Sequence, residues 1–570
     1  MRSWRIILVT CALLWGGVDA FLSQAPFALG QSYAGWQPAR GMTNQAGLAT
    51  GYGYDVAGRR VAATNAWGSS VALTSLYGYD ANGNQITMTN GYGSPSQTVV
   101  TNVFDALNRH RQTLFPDGTR VSTAYDAAGR RIAETNQDNL VTRYGYDGLG
   151  RLASVTNALS QVTRYEYDPT GSLLRQVDAL NRTNTFGYDS MGRRISHLLP
   201  GKQAESFGYD LAGNLVRHTN CNGVVITNQF DPLNRLTNRA SANGYRIGFA
   251  YSATGQRTNM TDLSGATSYG YDARDRLTNE VVTWTGGPTV TLKYRYDANG
   301  NVTNLWSSST SGVTNVYQYD ALNRLTNVLA GGGLGASYGY DTVGNLQTVR
   351  YGNAVTNLNQ YDRLNRLTNA VWKLSASTLG SFYYQLGSIG NRTELSETVG
   401  GASRTYQWQY DQLYRLTNEV VSALGSAAYR YDAVGNRTNR TSTIPQLPTV
   451  NSSYNTNDWL GGDLYDNNGN TRTNASGQAY LYDAENRLTN YNGGAVVLTF
   501  EGWCKGKQVT STDFAKSEQL AQQFVQDVMA QPKTSSIGSY LNRNMINGGR
   551  ALNYSLRAGV CNEARSATAS

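Results

Sequence analysis

The feature that most constrains this chain is a Tyr-Asp pair that returns along most of its length. Aligning the chain on this pair gives twenty copies, whose first slots lie at positions 54, 79, 104, 125, 146, 167, 188, 209, 230, 251, 271, 296, 319, 340, 361, 386, 410, 431, 465 and 482 and are aromatic in all copies but the one with Leu386. Between positions 104 and 251 the step is 21 residues seven times in succession. A fixed period of this length is the signature of a repeat architecture. The chain is therefore predicted to be one large repeat array.

The columns of the repeat predict what each copy builds. The second slot is Asp in eighteen copies, and three residues later comes Gly or Asn, again in eighteen copies. Asp at the first position of a type I turn accepts hydrogen bonds from the backbone N–H groups ahead of it. The fourth position needs a positive φ, which Gly adopts freely and Asn tolerates. Asp-x-x-Gly and Asp-x-x-Asn are therefore predicted to be one hairpin turn with a bulge.

Twelve residues represent these predicted structural turns: Asp55, Gly58, Asp126, Gly129, Asp147, Gly150, Asp320, Asn323, Asp362, Asn365, Asp483 and Asn486. Tyr414 stands where Gly or Asn is expected. Its turn is predicted to be either the most strained one or one that is differently built.

Strands are predicted on both sides of each turn. Residues 162–167 alternate in polarity with a period of two, which indicates a half-buried strand. A second turn, rich in Asn and Asp, also recurs at 21-residue spacing, at 136–139, 157–160 and 178–181. One repeat is thus two strands and two turns, and twenty repeats predict roughly forty strands in an all-β fold.

The sequence motifs YDxxGRL, YDxxGN and YDAENRLTN resemble the YD repeats of the Rhs family. That family includes bacterial Rhs toxin proteins, the C components of insecticidal toxin complexes and the animal teneurins. The resemblance covers about residues 50 to 500. It implies a long antiparallel β-ribbon that spirals into a hollow shell. In polymorphic-toxin members the shell encloses a C-terminal toxin, and in wall-associated and teneurin-like members it serves adhesion or carbohydrate contact.

One departure from the family limits what the resemblance implies. The C-terminal motif whose Asp residues support self-cleavage in the fullest members does not occur here. Residues 168–171 match its Asp-Pro-x-Gly portion by letters, but they lie in an ordinary repeat turn. The resemblance therefore does not extend to toxin release by self-cleavage.

Four segments are predicted. Residues 1–20 resemble an export signal: Arg2 and Arg5 precede a short apolar run, and small residues follow at positions 18–20. The alternative interpretation of the apolar run is a buried first strand. Residues 21–50 are a lead-in, residues 51–500 the repeat shell and residues 501–570 a segment without repeats. The mature protein is expected to be secreted or at the cell surface, with the periplasm as an alternative, and to hold no integral membrane segment.

The segment after residue 500 contains a predicted helix. Thr512 and Asp513 can cap it, five apolar residues between 514 and 528 share one face, and Pro532 ends it. A small toxin, a cap on the open shell and a reading-frame scar are the three interpretations of this segment. Its lack of His excludes a His-metal nuclease there. Cys504 and Cys561 are the predicted disulfide, since both lie in this segment.

No constellation of residues predicts chemistry in the repeats. His110, His197 and His218 are expected to be isolated, since each follows a repeat turn and none has a partner at ligand spacing, and no nucleophile elbow or phosphate loop occurs. No metal or cofactor is therefore expected. The net charge of +9 comes largely from Arg residues that recur after the turns, which spreads it along the chain and argues against nucleic-acid binding.

The function predicted from these patterns is that of an exported, non-enzymatic shell. It would act as a container or a surface scaffold, with an enclosed polypeptide or a cell-surface glycan or protein as partner. The first alternative is a polymorphic toxin whose activity lies in residues 501–570. The second is a carbohydrate-binding wall protein, suggested by the family and by the 39 Tyr residues.

Overall fold

The computed structural model describes residues 37–45, 47–309, 312, 314–491, 494–499 and 502–505. Every regular element in these ranges is a β-strand. The helix predicted from residue 512 and the export signal at 1–20 lie outside the described residues.

The first twenty-two strands run from the lead-in through the regular 21-residue repeats: β1 (Gln37–Thr43), β2 (Ala49–Tyr54), β3 (Arg60–Trp67), β4 (Leu73–Tyr79), β5 (Gln85–Asn90), β6 (Thr98–Phe104), β7 (His110–Leu114), β8 (Arg120–Tyr125), β9 (Arg131–Thr135), β10 (Val141–Tyr146), β11 (Leu152–Thr156), β12 (Val162–Tyr167), β13 (Leu173–Val177), β14 (Thr183–Tyr188), β15 (Arg194–Leu198), β16 (Ala204–Tyr209), β17 (Leu215–Thr219), β18 (Val225–Phe230), β19 (Leu236–Ser241), β20 (Arg246–Tyr251), β21 (Arg257–Asp262) and β22 (Gly265–Tyr271).

The other twenty-two strands run through the less regular repeats: β23 (Leu277–Trp284), β24 (Thr289–Tyr296), β25 (Val302–Ser307), β26 (Thr314–Tyr319), β27 (Leu325–Ala330), β28 (Gly333–Tyr340), β29 (Leu346–Tyr351), β30 (Val355–Tyr361), β31 (Leu367–Leu374), β32 (Ser377–Leu386), β33 (Arg392–Val399), β34 (Ala402–Tyr410), β35 (Leu416–Val421), β36 (Gly425–Tyr431), β37 (Arg437–Ser442), β38 (Val450–Asn451), β39 (Leu464–Tyr465), β40 (Thr471–Thr473), β41 (Tyr480–Tyr482), β42 (Leu488–Tyr491), β43 (Gly494–Thr499) and β44 (Gly502–Lys505).

Strands β1 to β38 form one sheet, in which each strand pairs antiparallel with the next strand in sequence. Strands β39 and β40 form a small sheet, and β41 to β44 form another. Local pairing of this kind is what tight turns at both ends of every strand produce. The predicted all-β fold, built as one antiparallel ribbon, is confirmed.

Both kinds of turn share one geometry. At the Tyr-Asp turn of residues 147–150, the Asp147 N–H donates to the Arg151 carbonyl at 2.9 Å, and the Gly150 N–H donates to the Asp147 carbonyl at 2.9 Å. At the second turn of residues 136–139, the Asn139 N–H donates to the Asn136 carbonyl at 3.0 Å, and φ of Asn139 is 60°. In each Tyr-Asp hairpin the strand register shifts by one residue, as between Gly145 and Tyr146. The ribbon is thus hairpins with a bulge at the Tyr-Asp end.

The ribbon is one sheet thick over most of its length. Within the described part of the chain no large side chain is fully buried, and many of the buried apolar residues are small, such as Ala62, Ala370 and Ala427. One compact cluster, Phe382 with Tyr384 and Leu395, packs across β32 and β33. A sheet whose two faces both keep partial access to solvent builds a wall rather than a filled core.

Candidate functional site

We call the sheet edge that carries the Tyr-Asp turns the turn edge, and the opposite edge, with the second turns, the return edge. Each Asp on the turn edge is the acceptor at the centre of its turn. Asp320 Oδ1 accepts from the backbone N–H groups of Leu322 at 2.8 Å and Arg324 at 2.9 Å, and its Oδ2 accepts from Arg324 Nε at 2.7 Å. The same contacts to the Arg four residues on occur at Asp55, Asp126, Asp147, Asp362 and Asp483.

The fourth residue of each of these turns takes the left-handed conformation. Values of φ lie between 76° and 83° at Gly58, Gly129 and Gly150, and at 59° or 60° at Asn323, Asn365 and Asn486. Short side chains without branching at Cβ are the ones that this conformation accommodates.

Ten of the turn carboxylates have a lowered pKa, which favours their ionised form. A hydrogen bond from the Arg276 side chain lowers the pKa of Asp272 to about 2, although desolvation opposes it. The pKa of Asp105 is also lowered, chiefly by the backbone N–H of Arg109. A carboxylate whose pKa is lowered and whose oxygens are occupied is a poor general acid or base at neutral pH.

The Arg after each turn also binds the next turn along the edge. Arg151 Nη1 donates to the Asp168 carbonyl at 2.7 Å, and its guanidinium carbon lies 4.8 Å from the centroid of the Tyr167 ring. The Tyr167 hydroxyl in turn donates to the Leu152 carbonyl at 2.9 Å. The Arg therefore bridges the carboxylate of its own turn to the backbone and ring of the next, so that consecutive turns are joined along the edge.

Where Asn replaces this Arg, a different bond joins the turns. Asn345 Nδ2 donates to Asp341 Oδ2 at 2.8 Å and to Asn365 Oδ1, in the next turn, at 3.0 Å. The acceptor is the left-handed fourth residue of that next turn. The same pair occurs at Asn84 with Asn108, Asn214 with Asn234, Asn301 with Asn323, Asn436 with Asp458 and Asn470 with Asn486.

The residue after one turn thus matches the fourth residue of the next turn. With one exception, Asn391, which is followed by Tyr414, each Asn at this position is followed by Asn or Asp in the next turn. Every Arg that precedes another such turn is followed by Gly, at Arg59, Arg109, Arg130, Arg151, Arg193, Arg235, Arg276, Arg324, Arg366 and Arg415. A Cβ on Gly150 would lie 3.4 Å from Arg130 Nη1, and one on Gly344 would lie 4.0 Å from Arg324 Nη1, so a longer side chain at either position would meet the guanidinium. The short Asn amide instead needs an acceptor that reaches toward it.

This matching predicts a non-additive pair of substitutions. R324N alone and G344N alone are each expected to lower the free energy of unfolding by about 1 to 2 kcal/mol. The double variant should recover about 1 kcal/mol of their sum, because it recreates the Asn–Asn bond. Urea unfolding of the three variants measures this coupling. R324N combined with G150N, which lies in a distant turn, is the control and should be additive; equal coupling in both pairs would contradict the matching.

The lowered pKa values predict how stability depends on pH. Ten turn carboxylates have a lowered pKa in the folded protein: Asp55, Asp80, Asp105, Asp126, Asp147, Asp168, Asp189, Asp210, Asp231 and Asp272. Their contribution to stability is present above the pKa of the unfolded carboxyl, near 4, and is lost as the pH falls through the folded values toward about 2. The urea midpoint should therefore fall steeply between about pH 4 and pH 2. A midpoint that stays level across this range would contradict this.

A seam joins two parts of the sheet that are far apart in sequence. Its hydrogen bonds connect residues 229 to 278 positions apart, and they join residues in or beside upstream return turns to downstream Tyr-Asp turns. Asn222 Nδ2, for example, donates to Asp466 Oδ2 at 3.0 Å, and the Asn467 N–H donates to Asn222 Oδ1 at 2.8 Å. The ribbon therefore coils: the return edge of a first coil (residues 37–262) meets the turn edge of a second coil (residues 263–491).

The seam contains charged and aromatic contacts. The Arg239 guanidinium binds the Glu485 carboxylate through two bonds, of 2.7 and 3.0 Å. Beside them, the Arg487 guanidinium lies 4.8 Å from the centroid of the Tyr245 ring. A two-bond Arg–carboxylate pair that is half-buried fixes the relative position of the two coils as well as adding stability.

Tyr414 is part of the seam. Its hydroxyl donates to Asp138 Oδ2 at 2.7 Å and accepts from Asn136 Nδ2 at 2.8 Å. Burial and the Asp138 carboxylate raise the pKa of Tyr414 to about 12. The Tyr414 N–H donates to the Asp411 carbonyl at 2.9 Å, and its φ is 60°, so its turn is built like the others. The seam contact supplies a reason for a large side chain at this position.

Two of the His residues are not isolated. His197 Nδ1 and His218 Nε2 each lie 3.4 Å from a carboxylate oxygen of Glu205, and their rings stack on Phe186 and Phe207 with centroids 4.9 Å apart. The expectation that these two His residues are isolated is wrong, because residues 21 positions apart occupy the same place in neighbouring repeats. That spacing was the signal. Among the described residues, no group of three or more His, Cys, Asp and Glu side chains is arranged to hold a metal ion.

One turn was missed by the alignment of the sequence. The Asp458 N–H donates to the Asn455 carbonyl at 3.1 Å, φ of Asp458 is 63°, and the Tyr454 hydroxyl donates to the Arg437 carbonyl at 3.1 Å. This is a further Tyr-Asp-type turn, with Asn in place of Asp and Asp in place of Gly. A search that allowed these replacements would have found it.

The cysteines add no site in the described region. Cys221 is unpaired, and burial together with the nearby Glu205 and Asp466 charges raises the pKa of its thiol to about 11. Cys504 lies in β44, and its predicted partner Cys561 is outside the described residues. Among the described residues, no helix is long and apolar enough to span a membrane.

A coiled antiparallel ribbon whose consecutive turns are joined by Tyr, Asp and Arg defines the class of YD-repeat β-shells. Residues 96–299 match a family model described as Teneurin YD-shell, which confirms the predicted resemblance for this part of the chain. Comparison with curated protein sequences found no match.

Solved structures of toxin-complex proteins share the fold. The chain is 16% identical to a TcdB2-TccC3 crystal structure, with a TM-score of 0.67, 84% of this chain covered and 31% of that one. TcdB2-TccC3 without its hypervariable C-terminal region gives 16% identity, a TM-score of 0.66 and coverages of 80% and 29%. The Tc holotoxin pore of Photorhabdus luminescens gives 16% identity, a TM-score of 0.66 and coverages of 83% of this chain and 30% of that one. The chain therefore spans just under a third of the length of the solved chains that it matches.

Proposed function

We propose that the chain forms the wall of an encapsulating β-shell. The seam is the observation that carries this proposal, because it stacks one coil of the ribbon on the next. A ribbon that binds itself edge to edge surrounds space, whereas sheets that pack face to face fill it. The scarcity of large, fully buried side chains in the described coils supports the same conclusion. The likeness of the fold to toxin-complex components fits a container as well.

The proposed shell does no chemistry of its own. Its most abundant acidic groups, the turn carboxylates, already accept bonds from their own turn and from the Arg or Asn that follows. The proposed partner is an enclosed polypeptide, with a cell-surface glycan or protein as the alternative. We propose export to the cell surface or beyond as the setting, on the basis of residues 1–20. Toxic activity in residues 501–570 and carbohydrate binding stay predictions.

Small-angle X-ray scattering of the chain tests whether the wall surrounds space. A hollow wall is expected to shift the distribution of interatomic distances toward values longer than those of a filled globule of 62.1 kDa. A distribution of interatomic distances whose peak lies where a filled globule of the same mass has it would contradict the proposal.

Limited proteolysis tests whether the shell encloses residues 506–570. Cleavage in this segment should be slow in the natural chain and faster when R239A and E485A open the seam. R175A with E166A is the matched control, since this ion pair is 3.4 Å apart, exposed and formed within the first coil. Equal cleavage in the natural chain and the seam variant would mean that this segment is not the enclosed polypeptide.

A further inference from the structure

The apolar tips of the Tyr-Asp turns differ between the two coils. We call the third residue of each turn its tip. In the first coil four apolar tips stand in solvent, Leu107, Leu149, Met191 and Leu233, with 67 to 75% of their surface exposed. In the second coil the apolar tips are only partly accessible, at Leu322, Val343, Leu364, Ile389, Leu413 and Val434.

The seam accounts for this difference. Val343 Cγ1 lies against the return turn of residues 91–94, so close that a Cβ on Gly91 would be 2.5 Å from it. Leu413 directly precedes Tyr414, whose hydroxyl binds the return turn of residues 136–139. The tips have the same place in the repeat and similar side chains in both coils. We infer that contact with the return edge is what makes the tips of the second coil less exposed than those of the first.

The second coil has a return edge of its own, with exposed apolar side chains beside its turns. Leu334 follows the turn of residues 330–333, and Leu374 and Leu379 flank the turn of residues 374–377, each with more than 40% of its surface exposed. Within the described chain, the turn edge of the first coil and the return edge of the second coil are the two edges that the seam does not use. One of these free edges is a turn edge and the other is a return edge, and the seam joins one edge of each kind.

We propose that the turn edge of the first coil, residues 55–255, docks on the return edge of the second coil of another copy of this chain. The contact would continue the seam from one molecule to the next, with the tips of one copy covered by the return turns of its neighbour. Such a contact joins two different surfaces, so it is head-to-tail and propagates beyond a dimer. Burial of four large apolar tips supplies a driving force that the exposed edge lacks.

Sedimentation velocity of the full chain over a range of concentrations tests this proposal. The natural chain should form a ladder of assemblies that grow with concentration. A variant with L107D, L149D, M191D and L233D should associate at least about tenfold more weakly. Its unfolding midpoint should stay unchanged, because the four tips are exposed in the single molecule. L464D with L481D, which replaces exposed Leu residues away from this edge, is the control and should associate like the natural chain.

Mixing distinguishes head-to-tail docking from other association. The tip variant keeps its return edge, so it should still receive the turn edge of a natural molecule and end the ladder at that point. An excess of the variant is therefore expected to reduce long assemblies to dimers. A natural chain that stays monomeric, or assemblies that the tip variant neither weakens nor shortens, would overturn the proposal. Because these outcomes concern contacts between molecules, they are independent of whether a single wall is hollow.

Discussion

Replacement of Gly265 by Ala is expected to lower the free energy of unfolding by more than about 3 kcal/mol. Gly265 begins β22 with a φ of 149°, a conformation that L side chains rarely adopt. A Cβ there would lie 2.0 Å from the Thr283 carbonyl oxygen and 3.0 Å from Trp284 Cα. These are backbone atoms of the paired strand β23, so relief requires the two strands to separate. Strain and overpacking therefore add at one position.

Gly118 provides the matched control for this prediction. It has a φ of 85°, and a Cβ on it would meet nothing within 4 Å. G118A should therefore cost only the left-handed strain of about 1 to 2 kcal/mol. Urea unfolding followed by circular dichroism measures both variants. Equal urea midpoints for G265A and G118A would show that the close approach of β22 and β23 adds nothing to the loss of stability.

Replacement of Asp320 by Ala has the second largest expected effect, a loss of about 2 to 4 kcal/mol. Three donors, two backbone N–H groups and Arg324 Nε, would lose their acceptor. The Arg324 side chain is 19% exposed and would keep its charge without a carboxylate partner. Removing one member of a largely buried ion pair costs more than the pair contributes, because the other charge stays desolvated.

Two further variants separate the contribution of the Asp320–Arg324 ion pair to stability from that of the hydrogen bonds within the turn. D320N keeps an oxygen that can accept from the Leu322 and Arg324 N–H groups, so it should lose about half as much stability as D320A. D117A removes an Asp that accepts from the Thr119 N–H in an exposed turn with no Arg partner, and should cost less than about 1 kcal/mol. If D320A and D117A were equally harmful, the Arg bridge along the turn edge would contribute nothing to stability.

The hairpins could be predicted from the sequence because their causes are local. Asp55 and Gly58 carry the hydrogen-bonding and φ requirements of one turn within four residues, and the turn then fixes the pairing of the two strands around it. The same period held the signal for the His197 and His218 pair, which lie 21 positions apart. It was missed because the residues were judged by their neighbours in sequence and not by their place in the repeat.

The seam could not be predicted in this way. Arg239 and Glu485 are 246 positions apart, close to twelve periods, and the period does not state how many repeats one coil takes. That number depends on the twist and curvature summed over all the strands between them. Tyr414 marked an unusual turn in the sequence, but its partners Asn136 and Asp138 became apparent only from the coil.

The matching of Arg with Gly and of Asn with Asn or Asp has a consequence for how such chains change over generations. When one repeat is lost or gained, a Tyr-Asp turn comes to follow a different turn from the one that preceded it before. A junction that places Asn before Gly leaves the Asn amide without its acceptor, and one that places Arg before Asn puts a side chain into the space beside the guanidinium. Recombination should therefore favour exchange points that preserve the pair, so that the heritable module runs from the middle of one turn to the middle of the next.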